Sequence, residues 1–202
     1  MDLSNLWYGA RDEGGRRGEE VLAVRLMAEP LVHLLAGGRQ VESAWIVAND
    51  DVPAVVTDHF ARVGTVIRRE SGKNTGQEQA NDETLQVRMY ETMFSRPPAV
   101  MVLGTGDGAG WMQRRGFLVA IDSAKRLGWA VEGVAWSATA NRTMAGWFEQ
   151  VGGAFVDLDD YYESVTFIER GRRVRPTSLT HRPFARVDPE HAVDLPSTAV
   201  RA

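Results

Sequence analysis

Residues 99–110 read AVMVLGTGDGAG, an unbroken apolar run followed at once by a glycine-rich turn that contains Asp107. Five successive apolar side chains are typical of a strand that is buried on both faces, as in a parallel sheet covered by helices. In such sheets ligands bind beyond the carboxyl ends of the strands. The stretch therefore predicts a central parallel strand that leads into a functional loop.

Shorter apolar runs alternate with helical patterns on both sides of this stretch. The predicted strands are 43–48, 65–67, 99–103, 130–136 and 154–158, and the predicted helices are 18–36, 52–63, 78–94, 111–127 and 141–151. Alternation of this kind is typical of an α/β fold with a mostly parallel sheet.

The start of the chain is unusual for such a fold. It reads MDLSN, with no apolar run before it, whereas a sheet of this type normally begins with a central strand that runs into its first functional loop. Two interpretations stay open: the first strand runs only from Met1 to Leu3, or the sequence omits residues before Met1.

The composition excludes several classes of site. The chain has 202 residues, a net charge of −4 and no cysteine, which removes disulfides, thiolate metal sites, iron–sulfur clusters and cysteine nucleophiles. No stretch reaches the roughly 18 apolar residues that span a bilayer, and the charged start does not resemble a signal peptide. We expect a soluble, cytoplasmic protein with no membrane partner, and a homo-oligomer stays open.

The charge divides the chain into two parts. Residues 169–202 contain seven Arg, four acidic residues and four of the eight prolines. Proline breaks helices and strand ladders, and few large apolar residues lie beside these prolines. We therefore predict one domain over residues 1–168 and a basic, flexible, disordered tail over 169–202.

Acidic side chains fall where this fold would place a ligand. Asp107 follows the buried strand, Asp2 opens the chain, and Asp82 lies near the start of the helix predicted over 78–94. Carboxylates from separate segments that meet at one sheet edge would bind a hard cation such as Mg²⁺. Such a cation can activate water and stabilise charge that develops at phosphorus.

Three segments, in order, resemble the NYN domain family, relatives of the PIN-type nucleases: DLSNL at 2–6, NDETL at 81–85 and VLGTGDG at 102–108. Residues 124–134 and 155–158 are similar to later parts of the family pattern, so that the resemblance spans roughly residues 1–160. It implies a PIN-like three-layer α/β/α sandwich with a mostly parallel central sheet. It also implies a metal-dependent endoribonuclease that hydrolyses RNA with Mg²⁺ or Mn²⁺.

The resemblance assigns roles to individual residues. It implies that Asp2, Asp82 and Asp107 are the catalytic metal ligands, and that Asn5 orients Asp2 or a phosphate. Thr105 stands where the family has serine and keeps a hydroxyl that can orient a ligand or phosphate. From the sequence itself, Arg11 lies near the expected site and is a candidate contact for the RNA backbone.

Two positions depart from the family pattern. Ala109 stands where the family has a second aspartate, and Asn81 stands where it has valine before the middle aspartate. Losing one carboxylate lowers the negative charge available to hold a second cation. One-metal chemistry and an inactive site are therefore both compatible with the sequence.

Two other functions stay open. A non-catalytic NYN-like module that binds RNA or a protein is favoured by Ala109 and by the reduced first strand. Residues 103–108, LGTGDG, also look like the glycine loop of an S-adenosylmethionine-dependent methyltransferase. That loop normally follows the first strand of its domain, whereas here it comes halfway along the chain. For RNA binding, Trp7 or Trp111 is a candidate for stacking on a base.

Overall fold

The computed structural model describes residues 1–69, 78–106, 116–169 and 185. The helices are α1 (Leu3–Arg16), α2 (Ala28–Ala36), α3 (Ala54–Phe60), α4 (Glu78–Ser95), α5 (Phe117–Arg126), α6 (Arg142–Gln150) and α7 (Tyr162–Val165). The strands are β1 (Val24–Leu26), β2 (Trp45–Asn49), β3 (Thr65–Arg69), β4 (Val100–Gly104), β5 (Ala130–Ala135), β6 (Ala154–Asp157) and β7 (Thr166–Ile168). The protein is a mixed α/β fold with parallel sheets, as the alternating pattern predicts.

A two-residue backbone bridge joins two parallel sheets at the centre of the molecule. One sheet pairs β2 with β3, and the other has the order β4-β5-β6. Between them, the Val47 N–H donates to Met1 O at 2.9 Å, and the Asp2 N–H donates to Gly104 O at 2.8 Å. Asp2 pairs with Val47 in parallel. The strand order across the molecule is therefore β3, β2, Met1–Asp2, β4, β5, β6.

Apolar side chains fill both faces of this arrangement. In β2, Ile46 and Ala48 belong to one buried cluster, which includes the apolar faces of α1 and α2. Val47, between them, belongs to a second cluster formed with α4, α5 and α6. Successive strand side chains point to opposite faces, and an apolar residue at every position is what a strand covered on both sides requires.

Helix α1 replaces the strand that the sequence suggested over residues 1–3. Asp2 caps the helix, because its Oδ1 accepts the N–H of Asn5 at 3.1 Å. Aspartate is among the preferred residues at this position. The helix buries Leu3, Leu6 and Trp7 on one face, so that only Met1 and Asp2 remain extended.

The single helix predicted over residues 18–36 is wrong. The segment contains a 3₁₀ turn (Val21–Ala23), then β1, then α2. β1 pairs antiparallel with β7, which the sequence analysis did not predict. Pro30 lies in the first turn of α2, where its missing N–H costs nothing, and so it does not kink the helix.

The predicted tail lies almost entirely outside the described residues, which include only Glu169 and Ala185 from it. Ala185 is buried, and its N–H donates to Glu132 Oε1 at 2.8 Å. In the part of the chain that the structure describes, no helix combines the length and apolar character that crossing a bilayer requires.

A buried ion pair ties α2 to the centre of the sheet. Glu132 lies on β5 with none of its surface exposed. The Arg39 guanidinium donates to Oε1 at 2.6 Å and to Oε2 at 2.7 Å, and also to the carbonyl of Ala36 at 2.8 Å. A bidentate pair of this kind satisfies a carboxylate that would otherwise be costly to bury.

We expect Arg39→Met to destabilise the protein by about 3 kcal/mol or more, since it leaves the Glu132 carboxylate buried without its cation. Urea denaturation would measure the change. Arg126→Met is the matched control, because Arg126 is exposed and its pair with Asp122 lies at the surface. That control should cost less than about 1 kcal/mol. Equal costs for the two variants would contradict the interpretation of the Arg39–Glu132 pair.

The α-amino group of Met1 is enclosed beside the central bridge. It donates to the carbonyl of Trp45 on β2. Burial lowers the pKa of this amino group from 8.0 to about 6, although the negative charge of Asp2 acts in the opposite direction. The folded chain therefore holds a titratable amino group where a strand would have a peptide N–H.

For the chain that begins at Met1, this group should make stability depend on pH. Its pKa is lower in the folded state, so the unfolded state binds more protons between pH 6 and pH 8, and stability rises with pH there. We expect a gain of about 2 kcal/mol from pH 6 to pH 8. Urea denaturation of the chain and of an N-terminally acetylated form would isolate this contribution, because the histidines titrate in both. The same pH dependence in both forms would contradict the prediction.

Candidate functional site

The first turn of α1 contacts the carboxyl ends of both strands that flank it. The Asn49 N–H, at the end of β2, donates to Ser4 Oγ at 2.9 Å. The Gly106 N–H, just after β4, donates to Asn5 Oδ1 at 2.8 Å. The segment 2–6 and the segment 102–106, which the sequence analysis placed at one sheet edge, are thus held together by a direct hydrogen bond.

The residues after β4 are fixed by packing. The Thr105 N–H donates to Val134 O at 3.1 Å, and Thr105 is fully buried. Gly106 O accepts the Asn141 N–H at 2.9 Å. A Cβ at Gly106 would lie 2.4 Å from the carbonyl oxygen of Thr139. Close approach of a neighbouring backbone therefore explains why glycine stands at 106.

Asp2 lies at this edge with 8% of its surface exposed. Its Oδ1 holds the N–H of Asn5, which is a capping role. A carboxylate has two oxygens and about four lone-pair directions, so the cap uses only part of its hydrogen-bonding capacity. Asp2 therefore caps the N-terminus of α1 and can also contribute negative charge to the site.

The start of α4 lies at the same edge. Arg69 ends β3, and its Nε and Nη2 donate to Thr84 Oγ1 at 3.0 and 2.6 Å. The Asp50 N–H, after β2, donates to Arg69 O at 3.0 Å. Asp82 precedes Thr84 by two residues on α4 and is partly buried. These contacts bring the start of α4, the helix that carries Asp82, to the carboxyl edge of the sheet.

Asn81 has an unmatched acceptor at this position. Only 2% of its surface is exposed, and its Oδ1 has no hydrogen-bond partner within the described residues. A buried polar atom without a partner costs about 1–3 kcal/mol. Asn81 stands where the family pattern has valine. It thus places an amide oxygen with no partner in the described chain beside Asp82 in sequence.

Asp107 and Trp111 lie outside the described residues. Among residues 1–69, 78–106, 116–169 and 185, no group of three or more His, Asp or Glu is arranged to hold a metal ion. The three-carboxylate hypothesis therefore stays a prediction: Asp2 lies at the carboxyl edge of the sheet, and Asp82 lies on the helix whose start reaches that edge.

Arg11 lies two turns along α1 from the first turn. Its guanidinium stacks 4.7 Å from the centre of the Trp7 ring, and its Nε has no hydrogen-bond partner in the described chain. Burial, then the charge of Arg25, lowers the pKa of Arg11, while Tyr8 opposes this shift. Arg11 is held by a ring contact and retains a donor that is not used within the fold.

Trp7 is 1% exposed and packs in the core, so the suggestion that it stacks on a base is wrong. Its neighbour Tyr8 is 43% exposed. Burial, then the charge of Asp51, raises the pKa of Tyr8, whereas the charge of Arg11 lowers it. The sequence analysis missed Tyr8 because the phase of α1 depends on recognising a helix there.

Sequence reasoning also missed acidic residues at the ends of β5 and β6. Ser137 donates from its hydroxyl to Asp157, and its N–H donates to Asp159 Oδ1 at 3.1 Å. Ser137, Asp157 and Asp160 line a cavity of about 530 Å³. The signal was available, because Asp157 directly follows the run at 154–156, as Asp107 follows the glycine turn.

The carboxyl group of Asp159 lies where its negative charge is disfavoured. Burial and then the negative charge of Asp157 raise the pKa of Asp159, whereas the hydrogen bond from the Ser137 N–H lowers it. Arg16 contacts its Oδ2 at 3.4 Å, and Arg17 donates to its carbonyl at 2.8 Å. These two arginines are therefore engaged within the fold.

Comparison of the chain with protein-family models, curated proteins and solved structures returns no significant match.

We expect Asn5→Ala to destabilise the protein by about 1–2 kcal/mol, because the Gly106 N–H loses its acceptor. Asp12→Ala is the matched control, since Asp12 is an exposed residue of the same helix. Urea denaturation gives the global change, and amide exchange at Gly106 gives the local one. Exchange at Gly106 should accelerate only in the Asn5 variant. Unchanged exchange there would show that this hydrogen bond does not hold the two segments together.

Proposed function

We propose that this chain is a PIN-like domain of the NYN type, a three-layer α/β/α sandwich that hydrolyses RNA with Mg²⁺ or Mn²⁺. The observation that carries the proposal is the hydrogen bond from the Gly106 N–H to Asn5 Oδ1. It ties the Asp-x-x-Asn segment at the start of α1 to the glycine segment that leads to Asp107. Two of the three segments of the family resemblance thereby meet at the carboxyl edge of the sheet, where ligands of such folds bind.

The oxygen ligands proposed at this edge fit a hard cation. Asp2 and Asp82 are carboxylates, and Asn81 Oδ1 is a buried oxygen with no partner in the described chain. Mg²⁺ prefers oxygen ligands and keeps several waters, so it needs few protein carboxylates. The proposed ligands are Asp2, Asp82 and Asp107, and the unmatched oxygen of Asn81 is compatible with this set.

The roles of the protein side chains follow from their positions. Asp2 and Asn5 are fixed by α1, so their oxygens are held without loss of side-chain freedom at the moment of reaction. Arg11 offers a guanidinium donor that can contact a backbone phosphate. A bound divalent cation would supply positive charge for the phosphate oxygens and would make attack by water possible at neutral pH.

A non-catalytic module that binds RNA or a protein is the second candidate. It is supported by Ala109, which removes one carboxylate from the family pattern. The methyltransferase alternative has less support. Contact with Thr139 already accounts for Gly106, and the apolar cavity of the described chain lies at the amino ends of the strands.

The decisive experiment is cleavage of a labelled single-stranded RNA by the purified protein, with Mn²⁺, with Mg²⁺ and with EDTA. We expect metal-dependent cutting that Asp2→Asn, Asp82→Asn and Asp107→Asn each reduce by at least about 100-fold, more than the loss of an outer-shell partner causes. Asparagine caps helices as well as aspartate does, so Asp2→Asn removes charge and keeps the start of α1.

Asp58→Asn is the control, because Asp58 is exposed on α3. Cleavage that persists in EDTA, or that survives all three site substitutions, would overturn the nuclease assignment. Absence of cleavage together with RNA binding by the folded protein would favour the binding module instead.

A further inference from the structure

Helix α1 follows the carboxyl edge of the sheet along its length. Its first turn contacts the ends of β2 and β4. Further along, the Leu6 carbonyl accepts the indole N–H of Trp136, the residue directly after β5, at 2.8 Å. After the last turn, Arg17 donates to the carbonyl of Asp159, which follows β6, at 2.8 Å. The middle of α1 therefore lies along the same edge as the candidate site.

An exposed aromatic ring and a guanidinium are neighbours in the middle of α1. Tyr8 is 43% exposed, although the adjacent Trp7 is buried. Arg11 follows Tyr8 by three residues, and residues at this spacing are neighbours on the surface of a helix. Together these two side chains combine an apolar ring face with a positive charge.

A second guanidinium shares the Trp7 ring with Arg11. The Cζ of Arg11 lies 4.7 Å from the centre of that ring, and the Cζ of Arg25, on β1, lies 5.9 Å from it. The ring attracts both cations, whereas the cations repel each other. Burial, then the charge of Arg25, lowers the pKa of Arg11, while Tyr8 acts in the opposite direction. An anion in contact with both guanidiniums would relieve this repulsion.

The two arginines carry more positive charge than their described neighbours neutralise. Among the residues that the structure describes, Arg11 forms no ion pair, and its Nε has no hydrogen-bond acceptor. Arg25 pairs at 2.6 Å with Glu169, whose side chain is 56% exposed. The three side chains therefore have one net positive charge, and each phosphodiester of a nucleic acid has one negative charge.

We propose that Tyr8, Arg11 and Arg25 form a nucleotide-binding subsite on α1, in which Tyr8 stacks on a base and the two guanidiniums hold a backbone phosphate. The choice of RNA as the ligand rests on the proposed function. A guanidinium presents a planar set of N–H donors that matches the oxygens of a phosphate. Stacking on Tyr8 requires an unpaired base, so the subsite accepts a single strand.

The subsite lies too far from the candidate metal ligands for one phosphate to contact both. Arg11 follows Asp2 by nine residues, which is about 13 Å along a helix. A dinucleotide contains a single phosphodiester and can occupy only one of the two places, whereas an octanucleotide can reach both. The subsite therefore selects longer RNA and leaves the chemistry at the carboxylates unchanged.

Binding of a labelled octanucleotide RNA in EDTA, followed by fluorescence anisotropy, tests the subsite apart from cleavage. Arg11→Gln and Arg25→Gln should each raise the Kd about tenfold, because each removes charged hydrogen-bond donors. Tyr8→Leu should raise it by a similar factor, whereas Tyr8→Phe keeps the ring and should bind like the original chain. Arg126→Gln and Phe94→Leu are the matched controls, because both residues are exposed and lie on other helices.

Glu169→Gln should act in the opposite direction. It removes the carboxylate that pairs with Arg25 and leaves the guanidinium available to the phosphate. We expect the Kd to fall about threefold, in keeping with the strength of an exposed ion pair. Asp58→Asn changes the charge of the chain by the same amount on α3 and should have a smaller effect. A purely structural role of the Arg25–Glu169 pair predicts no gain in affinity.

Cleavage with Mn²⁺ separates this subsite from the nuclease proposal. In the variant that combines Arg11→Gln with Arg25→Gln, the KM for the octanucleotide should rise about tenfold or more, with kcat unchanged. The KM for a dinucleotide should not change. If the original chain cuts no RNA but the effects in EDTA hold, the subsite stands and the nuclease assignment fails.

Four results would overturn the subsite. The first is no binding of the octanucleotide by the original chain in EDTA at low salt. The second is unchanged affinity in the Tyr8→Leu, Arg11→Gln and Arg25→Gln variants. The third is equal effects of Glu169→Gln and Asp58→Asn. The fourth is displacement of the RNA by an oligoglutamate peptide of the same charge at equal concentration, which would assign the arginines to an acidic protein partner.

Discussion

The architecture depends on the backbone hydrogen bonds of Met1 and Asp2, which join two otherwise separate parallel sheets. Val47 donates to Met1 on one side, and Asp2 donates to Gly104 on the other. Asp2 then caps α1, so the residue that completes the sheet also starts the helix beside it. One short segment therefore sets both the spacing of the central strands and the position of the first helical turn. A change that displaced Met1 and Asp2 would both separate the two sheets and move the candidate site.

The candidate site follows from the same constraint. Because α1 begins where the bridge ends, its first turn lies between the carboxyl ends of β2 and β4, and Ser4 and Asn5 each accept a backbone N–H there. Parallel strands bring their ends to one edge, which is why Asn49, Gly104 and Asp157, distant in sequence, belong to the same side of the molecule. The cavity at the opposite edge, at the amino ends of β2 and β4, is lined mainly by apolar side chains, although Arg39, Glu42, Arg88 and Arg96 also line it. The two ends of the sheet thus differ in chemistry.

The sequence predicted what apolar patterning alone determines. The runs around β2, β4, β5 and β6 appeared as strands because most positions are apolar or small, with Glu132 of β5 a buried exception, and the structure buries both faces. Patterning failed at residues 18–36, since a scatter of apolar residues does not distinguish a helix from a turn, a short strand and a helix in succession. It also gave no sign of α1, whose glycines resemble a loop. At the site, the meeting of Asn5 with the glycine segment was predictable, but the roles of Tyr8 and Asp159 depend on helix phase and on long-range contacts.

The charge of the candidate edge constrains its possible partners. Asp2 and Asp157 lie on this side of the molecule, Asp82 lies on the helix that starts there, and the net charge of the chain is −4, so the bare edge does not attract a polyanion. Arg16 and Arg17 do not offset this, because both pair with Glu13 and contact Asp159. Arg69, which ends β3 and bonds to the neutral Thr84, adds positive charge at this edge, and Arg11 adds some on α1. A bound cation that neutralises the carboxylates would favour RNA binding further, which links an RNA partner to metal binding. Without a bound metal, the negative charge of this edge would favour a partner protein with a basic surface. Whether a metal binds therefore determines which kind of partner the edge can accept.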